Sequence, residues 1–445
     1  MSHVNGLLAE LTWRGLLHAS TDGLEARLRR APISAYVGFD PTGPSLHVGH
    51  LVQVFLLTHL QRAGGRPVAL IGGGTGMIGD PSGTSAERNL IEDATLDANK
   101  ARFRDQLSHF IDFSAGSAGA VMLDNREWLG RFTLLEFLRD IGKHFTIPYM
   151  LAKDSVQLRL ASGLSFTEFS YMTLQAADFL HLYREHGVEM QMGGADQWGN
   201  ITAGLELIRR VEDAEEGAEP RAFALCSPLL TTTDGQKMGK TQSGAVFLDP
   251  SLTRPFDFYQ YLVNQPDDLV GKLLRWLTLL DADEIAELEA EQAAHPEQRP
   301  AQRAFAFDLT KRVHGEDVAS RIVRSSSEAF AGVAVGRGRA FDASVAVSAE
   351  SQPFTPEWLA AQYGTLPSFT VDRSVIESDA SAMGTALASD LFRSRSEVRR
   401  AIEQGGLTIN NERISRPGQR IEPIGGRWVH VRAGKRRIAI GKVTS

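Results

Sequence analysis

The chain has 445 residues, 42% of them hydrophobic and 23% charged, the make-up of an ordinary globular protein with room for roughly two to four domains. A single cysteine, Cys226, excludes an internal disulfide framework and a cysteine-based zinc site, and suits a reducing cytosol. The formal charge is −7, but residues 391–445 hold 13 Lys and Arg against 4 Asp and Glu, a local +9 that leaves −16 elsewhere; a basic end on an acidic body reads as a nucleic-acid footprint, with a solvated tail as the alternative.

In chain order, the first stretch, MSHVNGLLAELTWRGLLHAS, has no basic start, long apolar block or A-x-A-like cleavage site, so no secretory signal is expected. Leu7, Leu8, Leu11 and Leu16 have the spacing of an amphipathic helix. No apolar run approaches the roughly 18 residues that span a bilayer, so no membrane segment and a cytoplasmic location are expected. Across 33–80, ISAYVGF and PVALIGG flank the helical LVQVFLLTHLQRAGG, which predicts a strand–helix–strand unit, hence a parallel sheet. Residues 84 to about 115 read as charged helix, VMLDN (121–125) as a buried strand, and 128–190 as mainly helical. VEMQMGGADQWGNI (188–201) returns to strand–loop–helix, and LLTTTDGQKMGKT (229–241) is a polar loop after a strand. Helix formers fill 254–330, a Gly, Ser, Pro and Val-rich linker covers about 331–380, and 381–445 reads as one helix followed by short β segments.

Two glycine-bearing stretches compete as nucleotide sites. Gly74-x-Gly76-x-x-Gly79 spells a dinucleotide-binding turn, but Asp80-Pro81-Ser82-Gly83 interrupts it and no second ribose-binding strand follows, so a dehydrogenase is not supported. The stretch GFDPTGPSLHVGH (38–50) joins a strand to a helix whose free N–H groups suit phosphate. His47 and His50 stand three apart and face one ligand, with Gly49 leaving room for a flat base. A capped helix start or half a zinc site is the bland alternative. Lys237 and Lys240 lie in a glycine-bounded loop that could close over a polyphosphate, a pattern that means little without the histidine turn.

HVGH and KMGKT, in this order and separation, resemble the two signatures of class I aminoacyl-tRNA synthetases, usually written HIGH and KMSKS. With AYVGFDPTGPSLHVGH, GGGTGMIGDPSG, FSYMTLQAADFLHL and QMGGADQWGNI, the chain is similar to the bacterial tyrosyl-tRNA synthetase family, densely to about residue 260 and more thinly to about 380. It departs in Val48, in Gly239 and Thr241 where serines are usual, and in Thr84 and Ser85 where many relatives place a lysine.

The resemblance implies activation of L-tyrosine by ATP with Mg²⁺, then transfer to tRNA(Tyr). It implies an α/β fold: a Rossmann-like parallel-sheet catalytic domain (1–246) with a helical insertion and homodimer interface at about 128–190 and the signature loop at 235–241. A helical anticodon-side domain (247–330), the linker and a small α+β RNA-binding module (381–445) follow. His47, His50 and Thr42 would stabilise the phosphates, and Lys237 and Lys240 would grip the departing pyrophosphate. Further ATP contacts would come from Gly38, Asp40, Gly49, Gly193, Asp196 at the ribose, Met238 and Thr241. Arg393, Arg395, Arg399 and Arg400 would meet tRNA phosphates.

Tyr171, Gln175 and Asp178 fall at i, i+4 and i+7, one stripe of a helix. That spacing alone fits a solvated face; with the resemblance, they line the amino-acid pocket. Asp178 would accept the substrate phenol proton and Tyr36 donate to its oxygen, while Tyr171, Gln175 and Asp80 hold the ammonium. Gln197 would lie near the reacting carboxylate, and the glycines at 72–79 would aim Asp80 at the substrate. A phenylalanine ring would leave these polar groups unpaired. Two alternatives stand: a tryptophanyl-type synthetase, whose indole N–H only donates and leaves Tyr36 without an acceptor, and a non-catalytic RNA-binding protein, which has no use for the histidines and lysines.

Overall fold

The computed structural model describes residues 6–80, 93–153, 156–157, 160, 163–212, 221–232, 235, 238–241, 244–329, 354–434 and 437–445. They divide into two units: 1–252 with 272–279, and 253–271 with 280–445.

The first unit is built on a six-stranded sheet in the order β1 (Ala19–Ser20), β6 (Phe223–Ser227), β5 (Val188–Gly194), β2 (Ser34–Phe39), β3 (Arg66–Ile71) and β4 (Val121–Asp124). All neighbours pair in parallel except β1 with β6. The inner strands are nearly continuous apolar runs, because helices cover both faces of such a sheet; every residue of Phe223–Ser227 is buried. Helix Leu51–Arg62, which returns the chain from β2 to β3, is buried almost all round, from Leu51 through Leu60 except Gln53. Helix Phe166–His186 starts where the Ser165 hydroxyl accepts from the Glu168 N–H at 3.2 Å and stops at Gly187, with φ 62°, the left-handed stop that glycine favours. Parallel strands on both sides of β2 make its carboxyl end a switch point, where ligands bind in sheets of this kind.

The domain limits shift in three places, the first being residues 247–252, which go with the first unit and not with the helical domain. Residues 272–279, read as helical domain, go with the first unit. There the buried Arg14 donates to the carbonyls of Arg275 (2.8 Å) and Thr278 (3.1 Å). In the second unit, helices Pro255–Val263, Ala282–Ala294, Pro300–His314 and Glu316–Ala329 precede a five-stranded sheet. Its order is β11 (Glu412–Arg413), β10 (Leu407–Ile409), β12 (Trp428–Ala433), β13 (Arg437–Thr444) and β9 (Ser368–Asp372). Strand β9 lies inside the stretch read as linker. It pairs in parallel with β13, and Phe369 and Val371 enter the same core as Val398, Leu407 and Val431. The module therefore begins before residue 381, and the alternation S-F-T-V-D was its signal. Of that stretch, residues 331–353 are outside the described residues, and 354–380 also carry helices Pro356–Gln362 and Arg373–Ile376.

Candidate active site

A cleft of about 660 Å³ opens over the carboxyl ends of β2, β3, β4 and β5. It gathers fifteen of the residues singled out from the sequence: Tyr36, Gly38, Asp40, Thr42, His47, Gly49, His50, Asp80, Tyr171, Gln175, Asp178, Gly193, Asp196, Gln197 and Met238. They come from five separate segments, so the sheet, and not any one motif, assembles them.

At the inner end, Tyr36 on β2 is 1% exposed. Its hydroxyl has no hydrogen-bond partner among the described residues, which costs on the order of 1–3 kcal/mol unless a ligand supplies one. Facing it in the lining is Asp178, 2% exposed. Its Oδ1 accepts from the Trp128 indole N–H and its Oδ2 from the Asn125 amide, both at 2.8 Å. Burial raises its pKa to about 8 against the pull of these two bonds, and Asp40 and Asp124 push the same way. The Tyr36 pKa is raised by burial and then by Asp178. A buried acceptor and a buried, unsatisfied donor in one cleft match a group that both donates and accepts.

The raised Asp178 pKa fixes a stability trend. Between its unfolded value near 4 and about 8 the folded chain holds the extra proton, so this group's contribution to stability falls as pH rises through that window and levels off above it. Asp178→Asn removes the titration. The melting temperature of that variant minus that of the parent should therefore increase from pH 5 to pH 8; a constant or shrinking difference contradicts the assignment.

The middle of the cleft is a polar network. The Tyr171 hydroxyl donates to Asp40 Oδ2 (3.1 Å) and the Thr75 hydroxyl to Asp40 Oδ1 (2.9 Å). Asn125 Nδ2 also donates to Thr75 Oγ1 at 2.9 Å and its Oδ1 accepts from the Gly74 N–H at 2.8 Å. Gln197 Nε2 donates to Asp80 Oδ2 at 2.6 Å, and Asn200 Nδ2 donates to the side-chain oxygens of Gln175 and Gln197, each at 3.2 Å. The glycines find their reason here. A Cβ on Gly72 would stand 2.0 Å from Asp40 Oδ1, and one on Gly73 would stand 2.2 Å from Asp124 Oδ1. The turn after β3 passes against two carboxylates, and Gly79, with φ 88°, turns the chain into Asp80.

At the outer end, His47 is the N-cap of a single 3₁₀ turn, Val48–His50. His47 Nδ1 accepts from the Gly49 N–H (3.0 Å) and His50 Nδ1 from the His47 N–H (3.1 Å), with the rings stacked at 3.9 Å. These bonds assign the proton of each neutral ring to Nε2, a donor suited to phosphate oxygens. The room read at Gly49 is filled by protein: a Cβ there would meet the His47 ring at 2.8 Å and the Met238 carbonyl at 3.1 Å. The glycine is needed so that the two signatures can touch. The chain just after the second signature also pairs alongside the first, Val48 N–H donating to the Val246 carbonyl at 3.0 Å and Leu248 N–H to that of Leu46 at 2.9 Å. Gly239 has φ 100°, and a Cβ there would stand 2.7 Å from the Gly49 nitrogen, a position that serine would strain. Lys237, Thr84 and Ser85 are outside the described residues, as are the side chains of Lys240 and Thr241, whose backbones form β7 (Lys240–Thr241) of a hairpin with β8 (Gly244–Ala245).

Sequence reasoning missed Asn125, Trp128, Thr75 and the buried Gln191, whose Oε1 has no partner among the described residues. The rule that ligands sit at the carboxyl ends of parallel strands singles out Asn125, next after β4. In the second unit, Arg393, Arg395, Arg399 and Arg400 are all exposed, on and just before helix Arg395–Glu403.

Residues 28–331 match the family described as tRNA synthetases class I (W and Y), and residues 386–424 match the S4 domain. The chain is 45% identical over 436 residues to the tyrosine–tRNA ligase of Roseiflexus castenholzii, covering 97% of each. It is 42% identical over 439 residues to that of Geobacillus stearothermophilus, covering 97% of this chain and 98% of the other. Its fold matches a C-terminally truncated mitochondrial tyrosyl-tRNA synthetase from Aspergillus nidulans with TM-score 0.63 at 30% identity, over 71% of this chain and 92% of that one.

Proposed function

Because the chain belongs to the class I tRNA synthetases of the tryptophan and tyrosine type, we propose that it is a tyrosine–tRNA ligase, activating L-tyrosine with ATP and transferring it to the 3′-terminal adenosine of tRNA(Tyr). The observation that carries the tyrosine reading is the inner end of the cleft, where the Tyr36 hydroxyl lacks a partner among the described residues and Asp178 faces it. The phenol donates to Asp178 and accepts from Tyr36. An indole would satisfy the first group and strand the second.

Tyr171, Gln175 and Asp80 hold the ammonium, and this places the carboxylate beside Gln197. That carboxylate is ionised at pH 7, so it attacks the α-phosphorus without a general base, and pyrophosphate leaves. Charge that develops on the phosphates meets the imidazole donors of His47 and His50 and the hydroxyl of Thr42. Gly38, Asp40, Gly193, Asp196, Met238 and Thr241 shape the nucleotide side, with Asp196 at the ribose. Lys237 and Lys240 complete the pyrophosphate grip from the signature loop. Mg²⁺ travels on the ATP phosphates, where it neutralises charge; the described residues hold no group of three His, Cys, Asp or Glu suited to a cation.

Arg393, Arg395, Arg399 and Arg400 contact tRNA phosphates. A chain ending at Ala329 should keep amino-acid-dependent ATP–pyrophosphate exchange and lose most charging of tRNA, and what charging is left should depend less steeply on salt than that of the full chain, because fewer phosphate contacts remain. Equal charging by both chains overturns this role. The partner of helix Leu134–Asp140 is a second copy of the chain. That helix has no buried residue, and Leu134, Leu135, Ile147 and Phe166 are 71%, 78%, 58% and 75% exposed, an apolar surface of the kind that marks an interface. Light scattering should give a two-chain mass, reduced by Leu135→Arg; a one-chain mass for the parent contradicts it. No helix among the described residues is long and apolar enough to cross a membrane, and the proposed site of action is the cytoplasm.

A further inference from the structure

The Trp128 indole that donates to Asp178 is itself held from its other side. Its ring lies nearly parallel to the imidazole of His181, with centroids 4.3 Å apart and planes 18° apart. His181 is three residues beyond Asp178 on helix Phe166–His186, so both side chains project from neighbouring turns of one face. Trp128 sits on the short helix Arg126–Leu129. One face of one helix thus supplies both the carboxylate that the indole bonds and the ring that it stacks on. His181 and Trp128 are both absent from the cleft lining, and His181 is partly exposed, so His181 acts on the substrate through Trp128 and then Asp178.

We propose that His181 is a positioning residue for the tyrosine pocket, a flat ring that fixes the Trp128 indole so that its N–H stays on Asp178 Oδ1. The inference rests on the tyrosine reading of the cleft. Asp178 needs this help. Burial works against its charged form, and the bonds from Asn125 and Trp128 oppose that effect. An indole free to swing would leave one oxygen of a buried carboxylate without its donor. The carboxylate would then be a poorer and less fixed acceptor for the phenol. Ring stacking of this kind is an orientational constraint, lost when the ring is truncated or replaced by a branched chain of similar bulk.

The test is ATP–pyrophosphate exchange by the full chain and by His181→Ala, His181→Leu and His181→Phe, with melting temperatures measured alongside. His181→Ala and His181→Leu should raise the tyrosine KM about three- to tenfold, the range one ring stack supports. They should also reduce the preference for tyrosine over phenylalanine, while kcat and the ATP KM stay near those of the parent. His181→Phe restores the flat face and should recover the parent's tyrosine KM. A merely structural role would move the melting temperature and not the KM-against-kcat split. A tyrosine KM unchanged in the alanine and leucine variants overturns the proposal, as does a phenylalanine variant that melts normally yet behaves like alanine. Absence of tyrosine exchange in the parent would instead remove the tyrosine reading itself.

Discussion

Replacing Asp178 by alanine is expected to lower kcat/KM for tyrosine by on the order of a hundredfold or more, and to erase most of the preference for tyrosine over phenylalanine, with ATP binding little changed. The reason is a count of stranded groups. The carboxylate accepts from Asn125 and Trp128, and in the proposed complex it also accepts from the phenol. Removing it leaves the buried phenol donor unsatisfied, a loss of roughly 3 kcal/mol in kcat/KM, while the stranded Asn125 and Trp128 donors cost stability in the free and bound protein alike. Phenylalanine has no hydroxyl to lose, so its much weaker reaction should hardly change, and the ratio collapses from the tyrosine side. Steady-state exchange with each amino acid measures it. A variant that still prefers tyrosine as strongly as the parent would place the phenol elsewhere.

The second large effect belongs to His47. Its ring has two tasks that can be separated. Nδ1 caps the turn by accepting from Gly49, and Nε2–H is the donor offered to phosphate. Asparagine keeps an N-capping acceptor, whereas alanine keeps neither group. Both variants should lose about 100- to 1,000-fold in exchange kcat, the usual effect of removing one fixed donor to developing charge. The tyrosine KM should be near that of the parent in both, and only alanine should lower the melting temperature appreciably. If asparagine retains parental kcat, His47 is a cap and not part of the chemistry.

What could be read from the sequence was what is local. HVGH and KMGKT are linear words, and the Tyr171, Gln175, Asp178 stripe is a helical period; each was visible without a fold. Asn125, Trp128 and Thr75 were not visible because their partners lie about 50 residues away in sequence, just past the end of another strand or, for Asp178, on helix Phe166–His186. Only the order β5-β2-β3-β4 makes them neighbours. The glycines show the same limit. That Gly72 through Gly79 serve a close approach was legible, but not that Asp40 and Asp124 are what they approach. Gly49 was read as room for a base, yet its open side faces His47 and Met238, a contact between two motifs almost 200 residues apart. Strand β9 was hidden for another reason. Five alternating residues in a Gly, Ser and Pro-rich stretch carry little weight until β13 is beside them to pair with.

Amino-acid-dependent ATP–pyrophosphate exchange, run without tRNA and with tyrosine, tryptophan and phenylalanine supplied separately, reads which side chain the cleft accepts. The Tyr36 and Asp178 pair predicts exchange with tyrosine and little with the other two. Exchange driven by tryptophan, or by tyrosine and phenylalanine alike, would contradict the pocket. No exchange with any of the three, from folded protein, would contradict the enzyme.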